Sequence, residues 1–332
     1  MKNKKKLTET HSPSDNYNTF VVSQEDAGTR LDKFLFKHLT TIQSRTTVKQ
    51  IIENNMVIIN EKPITKANTL IKFDDIVRVQ KSVTIDPEQI KKEKAEKVKE
   101  LNIDSIHQGE DFLIVNKPAG LLVHSTPIDI TSVTLADWLL TKFPHVEDVG
   151  EPGRPGIVHR LDKNTSGIMI LALTQDAYET FVGMFKNRLI KKTYHAFVKG
   201  HPDKEGFINV PIGRHPVHRH KMTTFKQKST DKIRSALTQY KVLNYFDDST
   251  LIELQPKTGR THQIRVHMTA LGHPLLGDYI YGSQSTDIAR HALHAHALEF
   301  EFKGKKFYFS CPAPDDFKKV IEKKLAIVHK AE

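Results

Sequence analysis

Apolar residues near the start of the chain first follow a helical spacing and then a strand-like one. Within residues 31–35, apolar side chains recur at three- and four-residue intervals, which is typical of one buried face of an α-helix. A second helix is predicted over residues 44–53, with Ser44 as its N-cap. The runs at 56–60 and 76–79 are short and rich in β-branched residues, as strands are. Two helices and a small sheet would form a module of about 60 residues, which is large enough to fold alone.

The longer second region mixes strand and helix patterns. Residues 112–116 predict a strand, and the unbroken apolar run at 167–173 predicts a strand that is buried on both faces. The helix that follows has an apolar face formed by Ala177, Phe181, Met184, Phe185 and Leu189. Further strands are predicted at 194–198, 238–243 and 251–254. Many strands with few helices between them indicate an α+β fold around an antiparallel or mixed sheet.

Two stretches that lack apolar periodicity divide the chain. Residues 1–18 are polar and charged and are predicted to be a disordered basic tail. Residues 83–102 are predicted to be a charged, solvated and partly helical linker, because their Lys and acidic residues are spaced for i,i+4 pairing and little is available to bury. The sequence therefore predicts a small domain at 19–82 and a larger one at 103–325.

Composition narrows the class of protein. The 332 residues include 50 Lys and Arg against 39 Asp and Glu, a net charge of +11, which indicates a polyanionic partner such as nucleic acid or a membrane surface. The longest apolar stretch, residues 168–173, is far shorter than the ~20 residues of a membrane-spanning helix. Cys311 is the only cysteine, which excludes a disulfide framework and a multi-cysteine metal site and fits a reducing cytoplasm. A basic, cytoplasmic, two-domain protein is expected.

The positive charge is concentrated in one segment. Residues 214–234 contain seven Lys or Arg and one acidic residue, a local net charge of +6. A solvated loop would explain such a run, but the lack of compensating acids favours contact with a phosphate backbone by residues such as Arg219 and Lys221. Three histidines lie in the same segment, but no Cys, Asp or Glu is placed to complete a metal site. The sequence therefore predicts a mobile basic finger that becomes ordered on binding a nucleic acid.

The segment at 156–167 carries a candidate nucleophile. Asp162 follows an apolar, strand-like run and is flanked by Arg160 and Lys163. A carboxylate beside cations stays ionised at neutral pH and can attack an electron-poor carbon. Asp162 could instead be a structural residue that closes a turn through residues 164–167. The residues alone leave both interpretations open.

A third segment, residues 258–268, predicts the opening of a helix. The buried face of that helix is predicted to contain Ile264, Met268 and Leu271. Arg260 and Arg265 could hold a carboxylate or a phosphate through paired N–H donors. They could equally be surface arginines on an ordinary helix.

Considered jointly, these segments resemble the RluA/RluD-type pseudouridine synthases, which isomerise uridine in RNA. The resemblance covers residues 104–315 and rests on several ordered motifs, which are more specific together than singly. The motifs are HRLD at 159–162 with TSG at 165–167, KTYHAFVKG at 192–200, TGRTHQIR at 258–265, NKPAG at 116–120, GHPLLGD at 272–278 and LHA at 293–295. Residues 29–80 resemble the small RNA-binding module first known from ribosomal protein S-four, which often precedes this catalytic domain.

The resemblance implies an α+β catalytic domain with a mixed, largely antiparallel sheet, and it implies roles for individual residues. Asp162 would be the nucleophile, attacking either the anomeric carbon of ribose or carbon six of uracil. Arg260 would pair with Asp162, and Tyr194 would pack on the uracil face and help to remove the proton from carbon five. Arg160 would fill the space left by the flipped base. The reaction is redox-neutral and releases nothing, so neither a cofactor nor a metal is implied.

The same resemblance implies a set of RNA contacts. At the substrate site these are Arg160, His159, Lys163, Lys117, His262 and Arg265, together with Arg219 and Lys221. In the N-terminal module they are Arg30, Lys33, Ser44, Arg45, Lys49 and Asn60. The implied partner of a monomeric, membrane-independent protein is structured RNA, with large-subunit ribosomal RNA ahead of transfer RNA. A non-catalytic RNA-binding assembly factor on the same fold is the alternative, although it would lack the Asp, Tyr or Arg that are all present here.

Overall fold

The computed structural model divides the chain into two compact units. The first comprises Met1–Lys97 and Ser125–Ser132, and the second comprises Val98–His124 and Val133–Glu332. The residues that the structure describes are 17–39, 45–80, 87–125, 129, 131–218, 221–227, 230, 232–282 and 284–331. Residues 1–16 of the predicted tail lie outside them. Tyr17 and Asn18 belong to a strand, so the first element begins within the stretch that was expected to be tail.

The first unit combines two helices with a small antiparallel sheet, as the apolar pattern predicts. Its elements are β1 (Tyr17–Val21), α1 (Leu31–His38), α2 (Arg45–Glu53), β2 (Val57–Ile59), β3 (Lys62–Pro63), β4 (Ile76–Gln80) and α3 (Pro87–Val98), which runs to the division between the units. The strands pair in the order β1–β4–β2–β3. Leu31, Phe34 and Leu35 of α1 share one buried core with Ile51 and Ile52 of α2.

Most of the charged stretch predicted as a linker is the helix α3. Lys94 of this helix is buried, and its Nζ donates a hydrogen bond of 2.8 Å to Ser125 Oγ. A lysine can bury its alkyl chain in this way when its ammonium group keeps a polar partner. The expectation of a fully solvated linker is therefore wrong at this position.

A tight turn closes the hairpin between β2 and β3. Asn60 and Glu61 both have positive φ, 47° and 65°, as a two-residue turn of this hand requires. Glu61 adopts this unfavourable conformation while its carboxylate accepts a 2.6 Å hydrogen bond from Arg78. The Asn60 amide donates to Asp75 at 2.7 Å and accepts from the Ile76 N–H at 2.8 Å. The side chain predicted to contact RNA is thus engaged in the turn itself.

The second unit is built on a nine-stranded mixed sheet, which confirms the predicted fold class. Its strands pair in the order β11–β14–β15–β10–β16–β9–β6–β5, with β17 also paired to β16. Only β9 and β16 run parallel among the described strand pairs. The elements are β5 (Asp104–Gln108), β6 (Phe112–Lys117), α4 (Leu135–Lys142), a 3₁₀ turn (Pro144–Asp148), β7 (Gly150–Glu151), β8 (Arg154–Pro155), β9 (Ser166–Ala172), α5 (Gln175–Lys186), β10 (Lys191–Lys199), β11 (Glu205–Asn209), β12 (Ile212–Arg214), β13 (Met222–Thr224), β14 (Leu237–Tyr245), β15 (Ser249–Pro256), α6 (Gln263–Ala270), β16 (Leu293–Phe302), β17 (Lys305–Ser310) and α7 (Asp315–Ala331).

Strand β9 anchors the loop that carries the candidate nucleophile. Every residue of β9 is buried, as its unbroken apolar sequence predicts. Gly167 has a φ of 121°, and a Cβ there would lie 2.2 Å from the Ala295 carbonyl oxygen of β16. Only glycine therefore permits this close parallel pairing. The pairing fixes the end of the loop that begins at Asp162.

Two residues predicted on buried helix faces are exposed. Leu189 is 63% exposed and Leu271 is 38% exposed, so both expectations are wrong. α5 ends at Lys186 and α6 ends at Ala270, so each leucine lies beyond the helix whose periodicity it continues. None of the helices within the described ranges has the length and apolar character needed to cross a membrane.

The basic segment 214–234 contains regular structure. β12 pairs with β13 to form a small hairpin, in which Ile212 lies opposite Thr224. Lys221 closes the connection, since its N–H donates to the His218 carbonyl and its own carbonyl accepts from His215. A short hairpin therefore occupies part of the segment, and Arg219 lies outside the described residues. The mobility of the segment and its ordering on RNA stay predictions.

Candidate active site

Three segments that are distant in the sequence meet at one cavity of the second unit. The cavity has a volume of about 130 Å³ and is lined by the loop before β9, by β10 and by the turn that leads into α6. Its polar lining includes Arg160, Asp162, Lys192, Tyr194, Arg260, His262 and Arg265. The three motifs that carried the sequence hypothesis therefore contribute side chains to a single site.

Asp162 lies in a turn between buried Leu161 and strand β9. The Thr165 N–H donates a 3.0 Å hydrogen bond to the Asp162 carbonyl and closes this turn. The Asp162 side chain is 21% exposed, and its Oδ2 lies 3.1 Å from Nη1 of Arg265. The turn expected of a structural Asp is present, yet the backbone forms it, so the carboxylate remains accessible from the cavity.

Arg265 is the cation that holds Asp162. Its Nε and Nη2 donate to the two carboxylate oxygens of Asp278 at 2.7 and 2.9 Å, which leaves Nη1 for Asp162. Burial opposes the charge of Arg265, but hydrogen bonds and charge from Asp278, reinforced by Asp162, raise its pKa above the usual value. Burial also opposes the charge of Asp278, and the bonds from Arg265 outweigh it and lower that pKa. The buried pair thus stays charged and orients the third N–H group toward Asp162.

The expected pairing of Arg260 with Asp162 is wrong. Nε of Arg260 donates to the Ser235 carbonyl oxygen at 3.1 Å, and its backbone N–H donates to the side chain of Gln263 at 3.0 Å. Arg260 precedes α6, whereas Arg265 lies in the first turn of that helix. Arg260 still lines the cavity, but as a separate cation.

His262 connects Asp162 to the β12–β13 hairpin. Its Nε2 lies 3.8 Å from Asp162 Oδ2, and its Nδ1 lies 2.7 Å from the hydroxyl of Tyr281. That hydroxyl already accepts a 2.7 Å bond from the Met222 N–H of β13, so its proton is directed to Nδ1 and the ring N–H is assigned to Nε2. Burial lowers the pKa of His262, which keeps the imidazole neutral at physiological pH. His262 and Tyr281 therefore form a chain of contacts from the β12–β13 hairpin to the neighbourhood of Asp162.

Tyr194 supplies an aromatic wall of the cavity. The pairing of β10 with β16 shifts register between Thr193 and Tyr194, so the strand pairing is irregular beside this wall of the cavity. Burial, followed by the negative charge of Asp162, raises the pKa of Tyr194. The hydroxyl therefore stays protonated at physiological pH, which favours a packing role and disfavours a phenolate base.

His159 has internal contacts that support β9. Its Nε2 accepts a 2.9 Å hydrogen bond from the Ile170 N–H, and its ring stacks on Phe185 at 4.4 Å. Burial and the nearby charge of Lys192 lower the pKa of His159 to about 3. A neutral, stacked ring whose acceptor nitrogen is occupied supports β9, while the RNA contact expected of this half-buried side chain stays a prediction.

Lys117 is also internal, contrary to its predicted role. It is fully buried, and its Nζ donates to the carbonyl oxygens of Pro118, Leu121 and Lys163 at 2.7, 2.9 and 3.1 Å. Burial, with a smaller effect of the charge on Arg290, lowers the pKa of Lys117 to about 7. The ammonium group fastens the loop after β6 to the residue that follows Asp162. Lys163 itself is exposed and remains available to RNA.

We expect Lys117→Met to lower the free energy of unfolding and to have a smaller effect on the affinity for RNA. The substitution leaves three carbonyl groups without their donor, which costs about 2–4 kcal/mol in the free energy of unfolding. Urea unfolding followed by circular dichroism measures the cost. Lys163→Met is the matched control, because that side chain is exposed and the substitution preserves its carbonyl. Equal unfolding midpoints for the two variants would contradict the internal role of Lys117.

Sequence reasoning missed several residues of this site. Asp278 fixes Arg265, Tyr281 fixes His262, and Gln263 ties the turn before α6 to β14 through bonds to Leu237 and Thr238. Asp278 closes the GHPLLGD motif and Gln263 lies in TGRTHQIR, so their positions within these motifs were the available signal. Tyr281 follows the motif by three positions and carried no separate signal.

The cations predicted to bind RNA in the first unit differ in their surroundings. Lys33 is exposed on α1, and Lys49 is exposed on α2, 3.8 Å from a glutamate one turn later. Arg30 pairs with Asp32 at 2.7 Å. Ser44 and the side chain of Arg45 lie outside the described part of the chain. Among the RNA contacts predicted in this unit, the lysines Lys33 and Lys49 therefore have exposed side chains.

Comparison with known proteins identifies both units. Residues 111–270 match the model of the RNA pseudouridylate synthase family, and residues 29–77 match the S4 domain. An uncharacterized RNA pseudouridine synthase of Bacillus subtilis (strain 168) is 37% identical over 308 residues, which cover 91% of this chain and 96% of that protein. Ribosomal large subunit pseudouridine synthase D of Zymomonas mobilis is 32% identical over 312 residues, which cover 89% and 94%.

Solved structures show the same relationship. Human RNA pseudouridylate synthase domain containing 4 aligns with a TM-score of 0.55 at 26% identity, covering 72% of this chain and 97% of that one. Human RNA pseudouridylate synthase domain containing 1 aligns with a TM-score of 0.53 at 30% identity, covering 64% and 84%. Since the motifs, the sheet and the relatives agree over most of its length, the chain belongs to the RNA pseudouridine synthase family, with an S4 domain before the catalytic domain.

Proposed function

We propose that this protein isomerises uridine to pseudouridine in large-subunit ribosomal RNA in the cytoplasm, with Asp162 as the nucleophile. The observation that carries the chemistry is the accessible carboxylate of Asp162 in the cavity, held at 3.1 Å by Arg265. The choice of RNA is supported by relatives from Zymomonas mobilis and Vibrio cholerae, both named ribosomal large subunit pseudouridine synthase D, and by the S4 domain.

A uridine in structured RNA must leave its base stack before it can reach Asp162. Arg160 is exposed at the cavity and would occupy the space that the base vacates. Tyr194 would lie against the flipped uracil ring, with its neutral hydroxyl inside the cavity. Arg265 would hold the Asp162 carboxylate in place throughout, because its other two donors are bound to Asp278.

Two covalent routes lead from this arrangement to pseudouridine. In the first, an Asp162 oxygen bonds to the anomeric carbon while the bond to uracil N1 breaks and its electron pair stays on the base, as in retaining glycosidases. The base turns, its carbon five bonds to the anomeric carbon, and the ester to Asp162 breaks. In the second, an Asp162 oxygen bonds to carbon six and the bond between N1 and the anomeric carbon breaks. The base turns, its carbon five bonds to the anomeric carbon, and the bond between Asp162 and carbon six breaks. Both routes remove a proton from carbon five and place one on N1, so no oxidant or reductant is consumed.

Mapping of pseudouridines in total RNA from cells with and without this gene tests the proposal. We expect specific large-subunit ribosomal sites to lose pseudouridine in the deletion strain and to regain it with the wild-type gene but not with Asp162→Asn. Loss confined to transfer RNA would contradict the proposed substrate while keeping the chemistry. An unchanged map would contradict both.

We expect the double variant Lys33→Ala/Lys49→Ala to bind a large-subunit ribosomal RNA transcript more weakly. Each lysine that contacts a phosphate contributes about 0.7–0.9 to the slope of log affinity against log salt concentration, so the slope should fall by about 1.5. Filter binding at several KCl concentrations measures it. The control is Lys186→Ala/Lys306→Ala, which removes two exposed lysines of the second unit. Equal slopes for the two double variants would contradict RNA binding by this face of the S4 domain.

A further inference from the structure

Two cations that line the cavity, Lys192 and Arg260, have no carboxylate partner among the described residues. With Arg188, Arg234 and Lys257, whose charges act on one or both of them, they form a set of five. Within the described ranges, no ion pair involves any of the five. The adjacent Lys191, by contrast, pairs with Glu299 at 3.2 Å. In the part of the chain that the structure describes, Lys192 and Arg260 thus differ from Lys191 in presenting an unpaired charge to the cavity.

Lys192 and Arg260 come from separate parts of the fold, and each donates to a neutral oxygen atom. Lys192 extends from β10, and its Nζ donates to the Thr258 carbonyl oxygen at 3.3 Å. Arg260 lies in the turn before α6 and donates to the Ser235 carbonyl oxygen. Both side chains line the cavity that contains Asp162. Carbonyl oxygens orient a cation, but they leave its full charge uncompensated.

The electrostatic consequence is mutual repulsion. Burial, followed by the charges of Arg188, Arg260 and Lys257, lowers the pKa of Lys192 to about 8. Burial, followed by Arg234 and Arg188, lowers the pKa of Arg260. Like charges held together in a partly desolvated site destabilise the free protein, and an anion bound among them would remove that cost.

We propose that Lys192 and Arg260 form a phosphate subsite that holds the RNA backbone next to the flipped uridine. This inference rests on the proposed function and adds a ligand group to the same cavity. A phosphodiester is covalently attached to the ribose of the reacting nucleotide, so a ribose placed at Asp162 brings a phosphate to the cavity wall. The guanidinium of Arg260 matches phosphate oxygens through paired donors, and the ammonium of Lys192 adds a compact charge.

The first test is a salt titration of RNA binding. Wild type, Lys192→Met, Arg260→Gln and the control Lys191→Met are titrated with a large-subunit ribosomal RNA transcript at several KCl concentrations. We expect the two subsite variants to bind roughly tenfold more weakly at low salt. Each should also lose about 0.7–0.9 from the salt slope. Lys191→Met should match wild type, because that lysine already has a carboxylate partner.

The second test uses inorganic phosphate as the probe. Potassium phosphate is compared with KCl at equal ionic strength and pH, and the thermal midpoint of each protein is measured. A ligand that binds only the folded state raises the midpoint, so phosphate should stabilise wild type and Lys191→Met. The double variant Lys192→Met/Arg260→Gln should show no such rise.

The outcomes separate this inference from the proposed function. If Lys192→Met and Arg260→Gln lose affinity with an unchanged salt slope, the two cations contact the base and the phosphate subsite is overturned. If wild type forms pseudouridine while all variants share its affinity and slope, the subsite is likewise overturned and the proposed function stands. If wild type neither binds nor modifies the transcript but is stabilised by phosphate, the substrate assignment fails and the anion site stands.

Discussion

Asp162→Asn is expected to abolish pseudouridine formation, with a loss on the order of 10⁴-fold or more in the single-turnover rate. The substitution keeps the shape of the side chain and an oxygen that can accept from Arg265, but an amide cannot form the covalent bond that both proposed routes require. Arg265 retains its two bonds to Asp278, so the local fold should persist. The measurement is release of tritium from carbon five of labelled uridine in a ribosomal RNA transcript.

Asp104→Asn is the matched control for this result. Asp104 is an exposed residue of β5 that does not line the cavity, so the same chemical change there should leave the rate at the wild-type level. Thermal unfolding of both variants checks that loss of rate is not loss of fold, and mass spectrometry checks that the new Asn has not deamidated. Turnover by intact Asp162→Asn protein within tenfold of wild type would exclude Asp162 as the nucleophile.

The apolar pattern predicted elements of both units because each depends on residues close in sequence. β9 is an unbroken apolar run, and all of its residues are buried. α1 follows from three apolar residues at helical spacing, which share one core with α2. The pattern failed at Leu189 and Leu271, where the periodicity outlasted the helix. Periodicity records which face a helix would bury, and it does not record where hydrogen bonding stops.

The contacts within the site could not be predicted in the same way. Asp162 and Arg265 are 103 positions apart, and nothing local distinguishes Arg265 from Arg260 as the partner. Their difference arises because Asp278 engages two donors of Arg265 and turns the third toward Asp162. The prediction of an RNA contact for Lys117 was wrong for another reason. Lysine is rarely buried, so a surface role is the natural expectation until three carbonyl groups are seen around its ammonium.

Arg265→Lys should be the second most damaging substitution, with a loss on the order of 10²-fold or more in the single-turnover rate. Lysine keeps the charge, but a single ammonium group cannot reproduce the paired donors to Asp278 and also reach Asp162. Removing an oriented donor from a charged group in a water-poor site costs about this much in rate. Stability should also fall by about 2 kcal/mol, because a charge-assisted hydrogen bond to buried Asp278 is lost.

Arg260→Lys makes the same conservative change at the residue that the family resemblance implied as the partner of Asp162, and the two variants together decide which arginine orients Asp162. Nε of Arg260 donates only to the Ser235 carbonyl, so Arg260→Lys should retain most of the stability and lose less of the rate at saturating RNA. Its loss should appear mainly as weaker RNA binding, because a cation remains at the cavity without the planar donor pair that suits phosphate. Measuring rate at saturating RNA, affinity and urea unfolding for both variants separates these effects. Arg260→Lys could instead lose more rate than Arg265→Lys while keeping the stability of wild type. In that case the orientation of Asp162 would depend on Arg260 during the reaction, and the ion pair with Arg265 would describe only the resting enzyme.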